Sequence, residues 1–205
     1  MLRFLPFVLL LSVANAAAND VTVTVKGGAL AIKGDEDANA ITLDQGGLGA
    51  GSVRVAPSGG TTEAFANGNT AFAMSGTTVG PALAIQSGAG GDGIVVTGSS
   101  VQDSMSVAMS GGLNFLFLEG VQVGTDFTAK AGKDDDDFFG DGLLIGDNAT
   151  VEYAGGANVI DFGTSTIGED LTVRTGGGNA AITTGNVTVG GTKTIKSGKG
   201  ADTIS

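Results

Sequence analysis

The sequence predicts an all-β protein that folds as a right-handed parallel β-helix, a β-solenoid with 22-residue coils of three short strands each. The main observation is a repeat: from Ala82 onward every unit has 22 residues, without insertion or deletion. The units begin at Ala82, Ser104, Asp126, Asn148, Asp170 and Thr192. A fixed period in this range is typical of solenoids, in which each unit buries its apolar face against its neighbours.

Three positions of the unit are almost purely aliphatic, and each predicts one strand of the coil. The fourth position holds Ile85, Val107, Ala129, Val151, Val173 and Ile195. The thirteenth holds Ile94, Leu116, Phe138, Ile160, Ile182 and Ile204. The twentieth holds Val101, Val123, Ile145, Ile167 and Val189. Because these positions lie in short alternating segments between glycine-rich corners, we expect like residues to stack about 4.8 Å apart on three sheets.

The repeat is less regular upstream, over residues 20–81. An opening strand is predicted around Val23, residues 29–43 match the first fifteen positions of a coil, and residues 60–81 match another. Residues 45–51 are expected to form a corner loop between them. The residues expected to face inward are Leu30, Ile32, Ile41, Phe72, Met74 and Val79. The sequence thus predicts roughly eight coils in a single domain over residues 17–205, with regular coils from residue 82.

The N-terminal segment, residues 1–16, is predicted to be a signal peptide. Arg3 gives a positively charged start, residues 4–13 form an apolar run too short to cross a bilayer, and Ala14-Asn15-Ala16 fits a cleavage site between small residues. Cleavage is expected after residue 16 or as late as residue 18. Since no second apolar stretch of spanning length follows, we expect a secreted protein of the cell surface or periplasm, without a membrane span.

The composition excludes several classes of function. The chain contains no Cys and no His, which removes Cys–His and Ser–His catalysis and the usual zinc sites. Its formal net charge is −11, so nucleic acid is not an expected partner, because phosphate binding needs basic surfaces. Hydrophobic residues make up 41% of the chain, too many for a disordered linker despite its 37 glycines.

Two corners carry a motif typical of calcium sites. Residues 88–94 and 198–204 both read Gly-x-Gly-x-Asp-x-Ile. This spacing resembles the calcium-binding nonapeptide of RTX proteins, in which glycines allow a tight turn and Asp supplies hard oxygen ligands together with backbone carbonyls. The resemblance implies that Asp92 and Asp202 are metal ligands.

A third corner holds four consecutive acids. Lys133 is followed by Asp134, Asp135, Asp136 and Asp137. Four carboxylates at one corner could hold a weakly bound extracellular calcium ion, so all four are candidate metal ligands. The alternative is a solvated corner that discourages lateral pairing of the sheets.

The aspartate of these corners belongs to a column of alternating residues. In successive coils the eleventh position holds Asp92, Asn114, Asp136, Asn158, Ala180 and Asp202. Two carboxylates stacked in adjacent coils, about 4.8 Å apart, would repel each other by about 3 kcal/mol at an effective dielectric constant near 20. An intervening Asn relieves the repulsion and donates hydrogen bonds. The alternation favours a structural ladder over calcium binding, and calcium is kept as the alternative.

Parallel β-helices include enzymes that act on polysaccharides, but the sequence favours a non-catalytic protein. Such sites need clustered carboxylates with an Arg or Lys on one strand face, and Arg54 and Arg174 are predicted to lie in distant coils. Lys130, Glu152, Arg174 and Lys196 do share one outward column, which a surface salt-bridge ladder explains. We therefore expect no enzyme, with a polysaccharide-acting β-helix as the alternative.

The predicted architecture and the export signal resemble the repeat-built β-helix surface proteins and adhesins of bacteria. The resemblance implies a structural or adhesive component of the cell surface or extracellular matrix, with a surface glycan as a partner and with no cofactor unless calcium binds. The last coil is basic, with Lys193, Lys196 and Lys199, whereas the first coils are acidic. We therefore expect self-association, or stacking of another solenoid chain, at the C-terminal end.

Overall fold

The chain is an all-β parallel solenoid in a computed structural model that describes residues 22–26, 29–33, 39–44, 54–57, 70–76 and 78–205. The predicted signal peptide and the predicted corner loop at residues 45–51 lie outside these residues. Over the described ranges, no helix has the length and apolar character needed to cross a membrane.

The described residues form 23 strands. The irregular N-terminal part contains β1 (Thr22–Lys26), β2 (Ala29–Lys33), β3 (Asn39–Asp44), β4 (Arg54–Pro57), β5 (Thr70–Ser75) and β6 (Thr78–Val79). The regular part begins with β7 (Leu83–Gly88), β8 (Gly93–Thr97), β9 (Ser100–Val101), β10 (Met105–Met109), β11 (Phe115–Glu119), β12 (Gln122–Val123), β13 (Phe127–Ala131), β14 (Asp137–Asp141) and β15 (Leu144–Ile145). It ends with β16 (Ala149–Gly155), β17 (Val159–Phe162), β18 (Ser165–Ile167), β19 (Leu171–Gly177), β20 (Ala181–Thr183), β21 (Val187–Val189), β22 (Lys193–Lys196) and β23 (Thr203–Ile204).

These strands stack in three sheets, and in the regular part of the chain successive strands join sheet 1, sheet 2 and sheet 3 in rotation. In order of hydrogen bonding, sheet 1 is β1-β2-β7-β10-β13-β16-β19-β22, sheet 2 is β4-β3-β5-β8-β11-β14-β17-β20-β23, and sheet 3 is β6-β9-β12-β15-β18-β21. The register follows the repeat: Leu116 pairs with Phe138 and Val123 with Ile145, each 22 residues on. The predicted three-stranded coil is therefore confirmed.

The core runs along the inside of the stack and contains the three predicted aliphatic columns. From Ile85 to Val173 every member of the fourth-position column is at most 2% exposed. Phe138 lies at the centre of an aromatic contact chain, with ring centroids 6.0 Å from Phe127 and 4.7 Å from Phe162. Burial decreases in the last coil, where Ile204 is 50% exposed, because no further described coil covers it.

The described residues form about six turns, marked by the six strands of sheet 3, which is slightly fewer than the predicted count of roughly eight coils. Upstream of β7 the coils are incomplete: β2 pairs directly with β7, while β3 and β5 both join sheet 2. Since β2 and β7 are hydrogen-bonded neighbours, no strand of the coil predicted at residues 60–81 lies between them in sheet 1.

Two N-terminal strands are antiparallel additions to the stack. The predicted opening strand is present as β1, but it forms an antiparallel pair with β2, and β4 pairs antiparallel with β3. Leu30 and Ile32 are 1% exposed and Val79 is fully buried, as predicted. For Ile41, Phe72 and Met74 the structure describes the strands, β3 and β5, but not the side chains, so their predicted inward orientation is untested.

Candidate functional site

The acidic corner, residues 134–137, follows β13 and ends at the first residue of β14, and two of its exposed carboxylates point to opposite neighbouring coils. The backbone N–H of Gly112, in the preceding coil, donates to Asp134 Oδ2 at 2.7 Å. The backbone N–H of Ala157, in the following coil, donates to Asp135 Oδ1 at 2.7 Å. Both carboxylates therefore complete backbone hydrogen bonding of glycine-rich turns, where peptide N–H groups need acceptors.

Asp136 points into the solenoid and forms part of a buried Asp/Asn ladder. Its Oδ1 accepts hydrogen bonds from the backbone N–H of Asn114 at 3.1 Å and from Asn114 Nδ2 at 2.7 Å. Its own N–H donates to Asn158 Oδ1 at 3.0 Å, and the N–H of Asp92 donates to Asn114 Oδ1 at 3.1 Å. The predicted ladder is confirmed: each side chain binds the backbone of the coil before it.

Asp92 and Asp202, the aspartates of the two RTX-like corners, lie in the same column but in separate coils. The hydroxyl of Ser87 donates a hydrogen bond to Asp92 Oδ2, and the N–H of Ala180 donates to Asp202 Oδ1 at 2.9 Å. Where the chain is described, no three Asp or Glu residues are grouped closely enough to hold a metal ion. The repeat therefore distributes the candidate ligands along the solenoid axis.

One carboxylate oxygen of the ladder is buried without a hydrogen-bond partner. Asp136 is 0% exposed, and its Oδ2 has no donor, whereas the equivalent oxygen of Asp92 is satisfied by Ser87. The residue that corresponds to Ser87 in the coil of Asp136 is Ala131, which carries no hydroxyl. Burial raises the pKa of Asp136 to about 6, against the hydrogen bonds from Asn114, and the charges of Asp134 and Asp137 raise it further.

Tyr153 adds a second unsatisfied polar atom in this part of the core. It pairs with Ala131 across sheet 1 and is 1% exposed, and its hydroxyl has no hydrogen-bond partner. Burial raises the pKa of Tyr153, and the negative charges of Asp136 and Asp137 raise it further. The least satisfied polar part of the described core is therefore beside the acidic corner.

Millimolar calcium is expected to leave the melting temperature of the protein unchanged. The carboxylates of Asp134, Asp135 and Asp136 diverge and bind backbone N–H groups, so a calcium ion would have to break those hydrogen bonds to gather its ligands. Differential scanning calorimetry with calcium and with EDTA measures the difference. A rise in melting temperature that Asp134→Asn abolishes would instead support the calcium hypothesis, because a ligand that binds only the folded state stabilises it.

The outward column of sheet 1 is a salt-bridge ladder, as predicted. Lys130 Nζ lies 2.9 Å from Glu152 Oε2, and the guanidinium of Arg174 lies 2.5 Å from Glu152 Oε1. These hydrogen bonds, with Lys130 first and Arg174 second, lower the pKa of Glu152. The three side chains are partly or largely exposed, so the ladder lies on the surface of sheet 1.

A second Asp/Asn ladder runs along the exposed corner between sheets 3 and 1. Asp126 Oδ1 accepts from Asn148 Nδ2 at 3.0 Å, Asn148 Oδ1 accepts from the N–H of Asp170 at 3.2 Å, and Asp170 Oδ1 accepts from the N–H of Thr192 at 2.7 Å. Both acids of this ladder, Asp126 and Asp170, therefore accept hydrogen bonds from the following coil.

The outward side of sheet 2 carries a cluster of phenylalanine rings, which we call the aromatic face. It consists of Phe115, which is exposed, and of Phe117 and Phe139, which are half-buried; the exposed Leu113 lies in the corner just before β11. Leu113 is 68% and Phe115 is 38% exposed. The rings of Phe115 and Phe117 are nearly parallel, at 6°, with centroids 6.3 Å apart, and Phe139 lies 5.8 Å from Phe115. An exposed apolar cluster of this kind usually marks an interaction surface.

Carboxylates surround the aromatic face. Asp137 pairs directly with Phe115 in the adjacent strand, and Asp161 pairs with Phe139. Glu119 and Asp141 end the same two strands, β11 and β14, and are exposed. The strands of sheet 2 from β8 to β23 contain no Lys or Arg, so this surface is both apolar and negatively charged.

The aromatic face is not among the sites predicted from the sequence. Its signal was present: Phe115 and Phe117 flank Leu116, a predicted inward residue, so alternation along the strand already places both rings outside. A repeat predicts the positions that recur in every coil, whereas these phenylalanines occur in only two of the regular coils.

Comparisons of the chain with profiles of known protein families, with curated protein sequences and with solved structures gave no match. The fold and the site geometry define the described part of the chain as a parallel β-solenoid with an aromatic face on sheet 2.

Proposed function

We propose that this protein is an exported, non-catalytic β-solenoid that acts as a structural or adhesive component of the cell surface or extracellular matrix. The observation that supports the proposal best is the aromatic face. Phe115, Phe117 and Phe139 occupy adjacent strands of one continuous parallel sheet, so their relative positions are fixed by backbone hydrogen bonds. A rigid sheet surface that presents apolar rings needs no conformational ordering on contact, which favours adhesion.

The chemistry of the aromatic face suits a surface glycan. Phenylalanine rings pack against the apolar faces of sugar rings, while the neighbouring carboxylates of Asp137 and Asp161 accept hydrogen bonds from hydroxyl groups. Glu152, the carboxylate of the sheet 1 ladder, is bound between two cations, so it is held for structure and not for acid–base work. Both features support a binding role.

Sedimentation of the purified protein with insoluble polysaccharides, such as chitin, cellulose and peptidoglycan, tests this proposal. We expect the double variant Phe115→Thr/Phe117→Thr to lower the affinity for the bound polymer by about tenfold or more, as removal of central aromatic contacts does. Threonine suits these positions because Thr203 and Thr183 occupy the same two columns in later coils.

Leu144→Thr is the matched control for this experiment. Leu144 is 49% exposed but lies on sheet 3, and Thr166 follows it in the same column. It should therefore remove comparable exposed apolar surface without changing binding. Equal binding by wild type and both variants would exclude the aromatic face as the adhesive surface.

A further inference from the structure

We infer that the aromatic face is covered by a second copy of this chain, which contributes the outward face of its sheet 1 in a lateral contact. The inference rests on the structural role proposed above, and it makes the second copy an occupant that competes with glycan for the same surface. It differs from end-to-end stacking, because the contact runs along the side of the solenoid. The sheet 1 surface concerned, here called the basic face, contains Lys130, Arg174 and Lys196 with Glu152 between them.

The two faces are complementary in charge. The basic face has three cations and one carboxylate, whereas Glu119, Asp137, Asp141 and Asp161 surround the aromatic face without any Lys or Arg in strands β8 to β23 of sheet 2. Contact between two aromatic faces would bring like charges together, which costs free energy in a partly desolvated interface. Contact between unlike faces is therefore favoured.

The side chains of the two faces are also complementary in kind. Lys130 and Arg174 are 58% and 50% exposed, so both cations are accessible although both contact Glu152. Arg and Lys cations bind over aromatic rings, and the guanidinium of Arg also binds carboxylates. Phe117 and Phe139 supply aromatic rings for this contact, and Asp161, which pairs with Phe139 in the next strand, supplies a carboxylate.

The shape of the basic face permits a close approach. A column of threonines runs beside the charged column and comprises Thr128, Thr150, Thr172 and Thr194, paired in register. Short side chains in register on a parallel sheet give an even surface against which phenylalanine rings pack. Because the two faces belong to different sheets, the contact is heterologous, and each copy keeps one free face to bind the next.

Sedimentation velocity of the purified protein over a concentration series, at low salt and at high salt, tests the inference. We expect concentration-dependent oligomers at low salt and a weaker association at high salt, because screening reduces the attraction between unlike charges. Phe115→Thr/Phe117→Thr removes the rings, and Arg174→Gln/Lys196→Glu alters the basic face. Each variant should raise the apparent dissociation constant by about tenfold or more.

Two matched controls separate the contact from general effects. Lys199→Glu has the same change of charge as Lys196→Glu but lies at the corner between sheets 1 and 2, and Leu144→Thr removes exposed apolar surface on sheet 3. Both should associate as wild type does. Circular dichroism melts of all variants identify any substitution that destabilises the fold.

Mixing the two deficient variants gives the decisive result. The aromatic-face variant keeps an intact basic face, and the basic-face variant keeps an intact aromatic face, so an equimolar mixture should form a 1:1 dimer that does not grow further. A mixture that stays monomeric, a wild type that stays monomeric at all concentrations, or association that survives both variants would overturn the inference.

The two proposals fail separately. A monomeric wild type that still binds insoluble glycan through Phe115 and Phe117 would overturn the lateral contact and leave the adhesive function standing. A monomeric wild type that binds a basic polypeptide such as polylysine, but no glycan, would assign the face to a different protein partner and overturn this inference. Absence of both self-association and glycan binding would overturn both proposals.

Discussion

Replacing Asp136 with Asn is expected to raise the free energy of unfolding at pH 7 by on the order of 3 kcal/mol. At that pH the ionised carboxylate is fully buried with Oδ2 unsatisfied, and burial raises its pKa to about 6 from the model-compound value of 3.8. Asparagine is neutral and keeps the oxygen that accepts from Asn114. The new amide group is expected to find carbonyl acceptors in its own coil. Asn114, the equivalent residue of the preceding coil, shows this pattern, since its Nδ2 donates to Gly112 O at 3.0 Å and to Ser110 O at 3.2 Å.

The gain from Asp136→Asn should depend on pH in a defined direction. The pKa of Asp136 in the folded protein lies above its unfolded value, so its contribution to stability is fully present below about pH 4 and is lost as the pH rises through 6. The stability difference between variant and wild type should therefore be small at pH 4 and largest above pH 6. Urea unfolding at several pH values measures this difference, in which titration of other groups, such as Glu152, cancels.

Two further variants test whether the missing hydrogen bond is the cause. Asp126→Asn makes the same change of charge at an exposed position of the second ladder and should alter stability little at pH 7. Ala131→Ser introduces a hydroxyl at the position equivalent to Ser87, whose hydroxyl donates to Asp92 Oδ2. It should stabilise the protein at pH 7 by donating to Asp136 Oδ2, without removing the carboxylate. Destabilisation by Asp136→Asn at pH 7 would show that Oδ2 already has a partner, such as a bound cation.

Replacing Gly146 with Ala is expected to destabilise the protein by on the order of 3 kcal/mol. An alanine Cβ at this position would overlap the carbonyl oxygen of Gly124 in the preceding coil. The Gly146 N–H donates to Val123 O at 2.9 Å, and the backbone pairs on both sides, so the chain cannot move away without losing ladder hydrogen bonds. Chemical denaturation measures the loss. Hydrogen exchange should locate it between β12 and β15, because a solenoid is stabilised by contacts between neighbouring coils.

Gly185→Ala is the matched control for Gly146→Ala. A Cβ at Gly185 has no neighbouring atom within 4 Å, so this variant should unfold as wild type does. If Gly146→Ala does not fold, Gly190→Ala places the same overlap, against Gly168 O, directly after β21, the end strand of sheet 3, where only local unfolding is expected. Equal stability of Gly146→Ala and Gly185→Ala would contradict the close approach of the two backbones.

The acidic corner shows how far sequence reasoning reaches at a site. The Asp/Asn alternation predicted a ladder, and the hydrogen bonds of Asn114, Asp136 and Asn158 confirm it, because a strict repeat places equivalent residues in contact. The sequence could not predict that Asp134 and Asp135 turn to opposite coils. That choice depends on which turn N–H groups lack an acceptor, and this is a property of the folded backbone.

The sequence by itself determined the regular part of this protein: the three-sheet coil, its register, its inward columns and the salt bridges of Glu152. These follow because an unbroken 22-residue period fixes which residues are neighbours. Only the tertiary structure decided the direct pairing of β2 with β7, the unsatisfied oxygen of Asp136 and the clustering of Phe115, Phe117 and Phe139. Each of these arises where the repeat is interrupted or where residues differ between coils. There, space and hydrogen-bond supply within the folded stack decide the outcome, and the period does not determine them.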